Sequence, residues 1–137
     1  MSYAGDLTPE QAWELLRDNP QAVLVDVRTQ AEWNYVGVPD ISSLGKRTVL
    51  VEWLKFPSGA RNADFLHELT AAGITPEQPI VFICRSGQRS IGSAQLATSA
   101  GLGPSYNMLD GFEGALDEDG HRGKAGWRAL GFPWRQS

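Results

Sequence analysis

The stretch Ile80–Ala97, IVFICRSGQRSIGSAQLA, sets the chain's single cysteine between an apolar run and a polar loop with two arginines and a glycine. A thiol so placed is open to three readings. It is a small buried hydrophobe, since free cysteine is among the most buried residue types; it is a nucleophile towards sulfur; or it is a nucleophile towards phosphorus. The residues after Cys84, namely Arg85, Ser86, Gly87, Gln88, Arg89 and Ser90, weigh against the first reading, because two arginines beside an inert core thiol serve no packing purpose. Gly87 supplies a backbone angle that other residues resist. Successive N–H groups in such a turn converge into an anion-binding nest where a helix begins. Neighbouring cations and a helix N-terminus favour a thiolate, the attacking form of cysteine. They also suit an anionic substrate, or an anionic sulfur carried on Cys84. Arg85 and Arg89 are the expected oxyanion contacts, since each guanidinium offers a planar fork of donors. A structural clamp at the helix start is the alternative role for Arg89.

Metal and nucleotide chemistry find less support. The two histidines, His67 and His121, and the one cysteine lie far apart in sequence, without metal-ligand spacing. Asp117–His121 reads DEDGH, yet it lacks the alternating oxygen ligands and distal Glu of a calcium loop. The cysteine loop lacks the Gly-x4-Gly-Lys frame of a phosphate-binding P-loop. No metal and no cofactor is expected.

The elements that must position Cys84 follow from local patterns. Thr8, Pro9 and Gln11 read as an N-cap, a proline at the first helical position and a capping box. Ala12, Trp13, Leu15 and Leu16 then form one apolar face, and the helix should stop near Asn19–Pro20. Ala22–Val27 (AVLVDV) and the run before Cys84 are short, continuous and apolar, as strands buried on both faces are. Thr48–Leu54 and SYNMLDG read as two more strands. Helices are expected over QAEWNY, Asn62–Gly73 and QRSIGSAQLATSAG, with a C-terminal helical turn or short helix at GWRALGF. Strands alternating with helices imply an α/β domain, a central parallel sheet flanked by helices on both faces. Cys84 then sits at the carboxyl end of a strand, where open α/β sheets bind ligands. Gly111–Gly126 is polar and glycine-rich and reads as a long surface loop. Trp33 or Trp53 is a candidate for the pocket wall.

The chain has 137 residues, 42% hydrophobic and 20% charged, which fits one folded domain over 1–137 with a core of about 8–134. A net charge of -4 argues against a nucleic-acid partner. No apolar run approaches the roughly 20 residues of a membrane span. One cysteine allows no internal disulfide, and MSYAGDLTPEQ lacks a signal-peptide pattern. The expected location is cytoplasmic.

CRSGQRS resembles the active-site loop of single-domain rhodanese-like sulfurtransferases. Leu24–Asp40 resembles that family's early block, an Asp-x-Arg followed by Glu-Trp/Tyr and Gly; NMLDGFEG and GWRALGFPW resemble its closing blocks. The resemblance implies a rhodanese-like fold and assigns Cys84 as the residue that takes up sulfane sulfur as a persulfide. It implies thiosulfate or a persulfide as donor, and cyanide, a thiol or a protein cysteine as acceptor. Asp26 and Arg28, in the Asp-x-Arg, are supporting residues, read as a fold-stabilising ion pair or strand cap. Two departures stand out. GVPDIS replaces the family's Gly-His-Ile-Pro-Gly, and Ala115–Ala125 is an insertion placed to shape the active-site mouth.

Four residues separate Cys84 from Arg89, one fewer than in the cradle of cysteine phosphatases. The tighter loop suits one sulfur atom better than a tetrahedral phosphate. Ile83 stands where those phosphatases commonly carry histidine. Sulfur transfer is the expected function. The alternatives are a non-catalytic sulfur-carrier or interaction domain, and a cysteine-dependent phosphatase or arsenate reductase.

Overall fold

A computed structural model describes residues 2–136; the outermost residue at each end of the expected domain lies outside them. Five strands form one parallel sheet: β1 (Gly5–Leu7), β2 (Val23–Asp26), β4 (Val49–Leu50), β5 (Ile80–Ile83) and β6 (Ser105–Met108), in the order β1-β6-β5-β2-β4. A separate antiparallel pair joins β3 (Val38–Pro39) to β7 (Trp134–Arg135). The helices are α1 (Pro9–Asp18), α2 (Gln30–Tyr35), α3 (Phe65–Ala71) and α4 (Arg89–Ser99).

β5 is central and fully buried, and its period-two alternation feeds two cores. Ile80 and Phe82 join Val25, Val27, Phe65, Leu69, Ala94 and Ala97 under α3 and α4. Val81 and Ile83 join Leu24, Ala12, Leu16, Met108, Phe112 and Trp127 under α1 and the C-terminal segment. A strand apolar at every position is therefore needed, because both faces lose water. The expected α/β architecture, with helices on both faces, is what folds.

The local helix signals act as expected. Thr8 caps α1 through a capping box with Gln11, and Asn19 closes it. Thr29 caps α2 in the same way with Glu32. Of the expected elements that come out shorter, two have a visible cause. The strand expected over Thr48–Leu54 reduces to Val49–Leu50. Beyond it Val51 N–H donates to the Asp26 carbonyl and Trp53 N–H to the Val27 carbonyl, so one chain advances two residues for the other's one and the ladder breaks. The helix expected over Asn62–Gly73 starts at Phe65, because the Asn62 side chain accepts from Asp64 N–H and donates to the Glu52 carbonyl and Glu68. Such an Asx turn competes with helical bonding. The segment over Gly111–Gly126 is only partly the surface loop expected: Gly111, Phe112, Gly114 and Gly126 are buried, and the exposed part lies between.

Candidate active site

Cys84 follows β5 directly and is 1% exposed. Its Sγ accepts the Gly87 N–H at 3.2 Å and lies 3.1 Å from Ser90 Oγ. Gly87 takes a φ of 96°, a left-handed angle that suits glycine. A side chain there would meet Asp110 N at 3.1 Å. The loop is gripped from outside by the segment after β6. Phe112 N–H donates to the Cys84 carbonyl at 2.8 Å and Glu113 N–H to the Arg85 carbonyl at 2.9 Å. Gly111, with a φ of 58°, allows that approach; a Cβ would fall 2.4 Å from the Cys84 carbonyl oxygen.

The six residues after Cys84 divide between lining and structure. Arg85, Ser86, Gln88 and Arg89 line an open cavity of about 550 Å³, whose wall is completed by Thr29, Ala31, Glu32, Val36, Phe56 and Arg122. Gly87 is the donor to sulfur. Ser90 turns inward, fully buried, with Oγ between Cys84 Sγ and Asn107 Oδ1. Arg85 is exposed and loosely paired with Glu113 at 3.4 Å.

Arg89 lines the cavity and also makes contacts that fit its alternative role, a clamp. Its NH1 and NH2 donate to the two oxygens of Glu32 at 2.8 and 2.9 Å, while Glu32 Oε1 also accepts from Thr29 N–H and Oγ1. Burial would raise the Glu32 carboxyl, but Arg89 and Thr29 outweigh it and hold the group below the usual range. The same pairing outweighs burial at Arg89 and raises its guanidinium further. Arg89 is thus a clamp between α4 and α2.

Asp26 and Arg28 form a fully buried bidentate pair, with Nε–Oδ1 at 2.9 Å and NH2–Oδ2 at 2.7 Å. Arg28 NH2 also donates to the Gly37 carbonyl, and its guanidinium lies 4.3 Å from the Phe112 ring centroid. Phe112, whose N–H holds the Cys84 carbonyl, is one link from the pair to the cysteine loop, and the Asp26 charge also acts on Arg89. Neither Trp33 nor Trp53 lines the cavity; its aromatic is Phe56, 69% exposed. Trp53 packs edge-on against Phe65 instead. From the insertion, Arg122 reaches the mouth and donates to the Gly114 carbonyl at 2.8 Å. Glu32 and Arg122 were visible only as members of the Glu-Trp block and of the insertion, and Asn107 carried no site signal, since Glu32 and Asn107 act through partners distant in the chain. A buried asparagine within a strand was the nearest to one.

Among the described residues no cluster of three His, Cys, Asp or Glu could hold a metal, and no helix is long and apolar enough to cross a membrane.

The chain is 34% identical over 126 residues to the uncharacterized protein RC0915 of Rickettsia conorii, covering 91% of this chain and 92% of that one. It is 28% identical over 109 residues to the thiosulfate sulfurtransferase GlpE of Actinobacillus pleuropneumoniae, covering 80% and 83%. Among solved structures, Rv0390 from M. tuberculosis is 60% identical with a TM-score of 0.90, covering 99% of this chain and 100% of that one. A rhodanese-like domain protein from Staphylococcus aureus, 15% identical, shares the fold with a TM-score of 0.63, covering 97% and 98%. The chain belongs to the rhodanese-like domain family. Within it, the family described as the STR4 middle domain matches residues 5–137.

Proposed function

We propose that the protein is a sulfurtransferase that carries sulfane sulfur on Cys84. The observation that carries the reading is the sulfur's setting: Sγ at the end of a central strand, met by the Gly87 N–H, at the start of a loop whose Arg85, Ser86, Gln88 and Arg89 line an open cavity together with Arg122. The likeness to a thiosulfate sulfurtransferase supports it. The Cys84 thiolate attacks the outer sulfur of thiosulfate. A new S–S bond forms, the old S–S bond breaks, and its electron pair leaves with sulfite. An acceptor such as cyanide or a thiolate then attacks the outer sulfur of the persulfide, and the electron pair of the breaking bond returns to Cys84. This two-step displacement is covalent catalysis by an activated nucleophile. Neither leaving group needs a proton, so no general acid is required. Arg85 and Arg122 orient the anionic donor; with one cysteine in the chain, the acceptor comes from outside.

The Arg89–Glu32 clamp disfavours phosphate chemistry, because the arginine that would embrace a phosphate already spends two donors on a carboxylate. Intact mass spectrometry after incubation with thiosulfate tests the reading. One added sulfur atom, removed by cyanide and absent in Cys84→Ser, is expected. No adduct with thiosulfate or an organic persulfide would overturn it.

A further inference from the structure

Behind Cys84 runs a polar chain through the core. Asn107, fully buried in β6, sits at its centre. Its Nδ2 donates to Asp6 Oδ1 at 3.0 Å and to the Gly87 carbonyl at 3.2 Å. Asp6 Oδ1 in turn accepts from Tyr3 OH at 2.8 Å. A carboxylate and a carbonyl can only accept, so the amide orientation is fixed and Oδ1 must face Ser90. Ser90 Oγ donates to that oxygen at 2.5 Å. A serine hydroxyl has one proton. With that proton committed to Asn107, Ser90 meets Cys84 Sγ, 3.1 Å away, with lone pairs only. Ser90 Oγ thus presents an acceptor, not a proton, to the sulfur.

We infer that Asn107 is a positioning residue that withholds the Ser90 proton from Cys84, so the anionic sulfur gains Ser90 as a donor only when Ser90 turns and leaves Asn107 Oδ1 unpartnered. The inference rests on Cys84 being the reactive sulfur of the proposed function. Asn107 thereby sets whether Ser90 faces the sulfur as acceptor or as donor, and one asparagine ties β1, β6, the loop and α4 to it.

Other charged and titratable groups surround the loop. Arg85 and Arg89 lie on the loop and α4, Glu32 on α2, and Asp26 and Arg28 at the end of β2. Tyr3 and Asp6 lie at β1, and Asp110 and Glu113 follow β6. All are kept in the test variants.

The test is the rate of iodoacetamide alkylation of Cys84 against pH, which needs no sulfur-transfer activity. In Asn107→Leu, Ser90 is free to donate to the thiolate. One recovered hydrogen bond, typically about 1 kcal/mol net, corresponds to about five-fold faster alkylation at neutral pH and a profile moved to lower pH. In a Ser90→Ala background the same change should accelerate nothing. Ser90→Ala alone, a mild truncation that covers the case of Asn107→Leu failing to fold, should speed alkylation, because the thiol loses its acceptor while the thiolate loses only a donor that it reaches by breaking the Ser90–Asn107 bond. An unchanged or slower rate in Ser90→Ala overturns the inference. So does an unmoved profile in a folded Asn107→Leu, or equal acceleration with and without Ser90. Absence of a thiosulfate adduct would defeat the proposed function while leaving this alkylation result to stand or fall alone.

Discussion

Replacing Glu32 with glutamine removes the charge on which Arg89 closes without changing its size. The pair is bidentate at 2.8 and 2.9 Å, and its side chains are 20% and 23% exposed. Exposed pairs contribute about 0–1 kcal/mol, whereas breaking a buried pair costs about 3–5 kcal/mol. The observed burial lies between these, so Glu32→Gln should cost about 2 kcal/mol, or roughly 6–8 °C in Tm for a domain of this size. Thermal unfolding by circular dichroism measures this, with Arg89→Ala and the double variant completing a cycle whose coupling should be about 1–2 kcal/mol. The pH dependence has a definite sign. The folded carboxyl titrates lower than the unfolded one, so the pair's contribution is full above the ordinary glutamate value of about 4.3 and fades as pH falls through the lower folded value. The Tm gap between wild type and Glu32→Gln should therefore close in acid. A loss below about 2 °C, additive single effects, or a gap that persists unchanged in acid would refute the clamp.

Other outcomes follow from the same geometry. Asp26→Asn should destabilise by about 3–5 kcal/mol in chemical denaturation, since it leaves the Arg28 charge buried without its partner; a change under about 1 kcal/mol would contradict the bidentate pair. Gly111→Ala should lower Tm and slow sulfur uptake, because its Cβ would fall 2.4 Å from the Cys84 carbonyl oxygen; mass-spectrometric uptake at the wild-type rate would refute the grip on the loop. Arg122→Ala should leave Tm within about 2 °C, as partly exposed sites usually do, while raising the KM for thiosulfate in a cyanide-coupled assay; an unchanged KM would remove Arg122 from the donor contacts.

What the sequence made legible was local. The Thr8–Gln11 and Thr29–Glu32 caps need only neighbours along the chain, and the continuous run Ile80–Ile83 announces burial on both faces. β1 was not legible, because Gly-Asp-Leu has no apolar run and becomes a strand only by pairing with Tyr106, Asn107 and Met108. The antiparallel pair of Val38–Pro39 with Trp134–Arg135 is similarly a product of tertiary approach. Within the site, the loop's composition pointed to an anion at Cys84, but the fate of its cations depends on residues far away. Arg89 meets a carboxylate 57 positions earlier, and Ser90 meets an amide that is itself held 101 positions away. The clamp was open to Arg89 as an alternative from its place at the helix start, and the fold supplies the carboxylate on which it closes.

The base of the inserted segment is stitched shut. Trp127 N–H donates to the Gly111 carbonyl, Arg128 N–H to the Phe112 carbonyl and Gly123 N–H to the Glu113 carbonyl, and a Cβ on Gly126 would fall 2.8 Å from the Gly111 carbonyl oxygen. The thiol's geometry is thus mechanically insulated from what happens in Ala115–Gly120. Lengthening a surface loop is cheap, about 0.6 kcal/mol per doubling. Natural drift or a protein engineer can therefore graft new sequences there, redecorating the cavity wall around Arg122 while the hydrogen bonds that hold the Cys84 loop stay untouched.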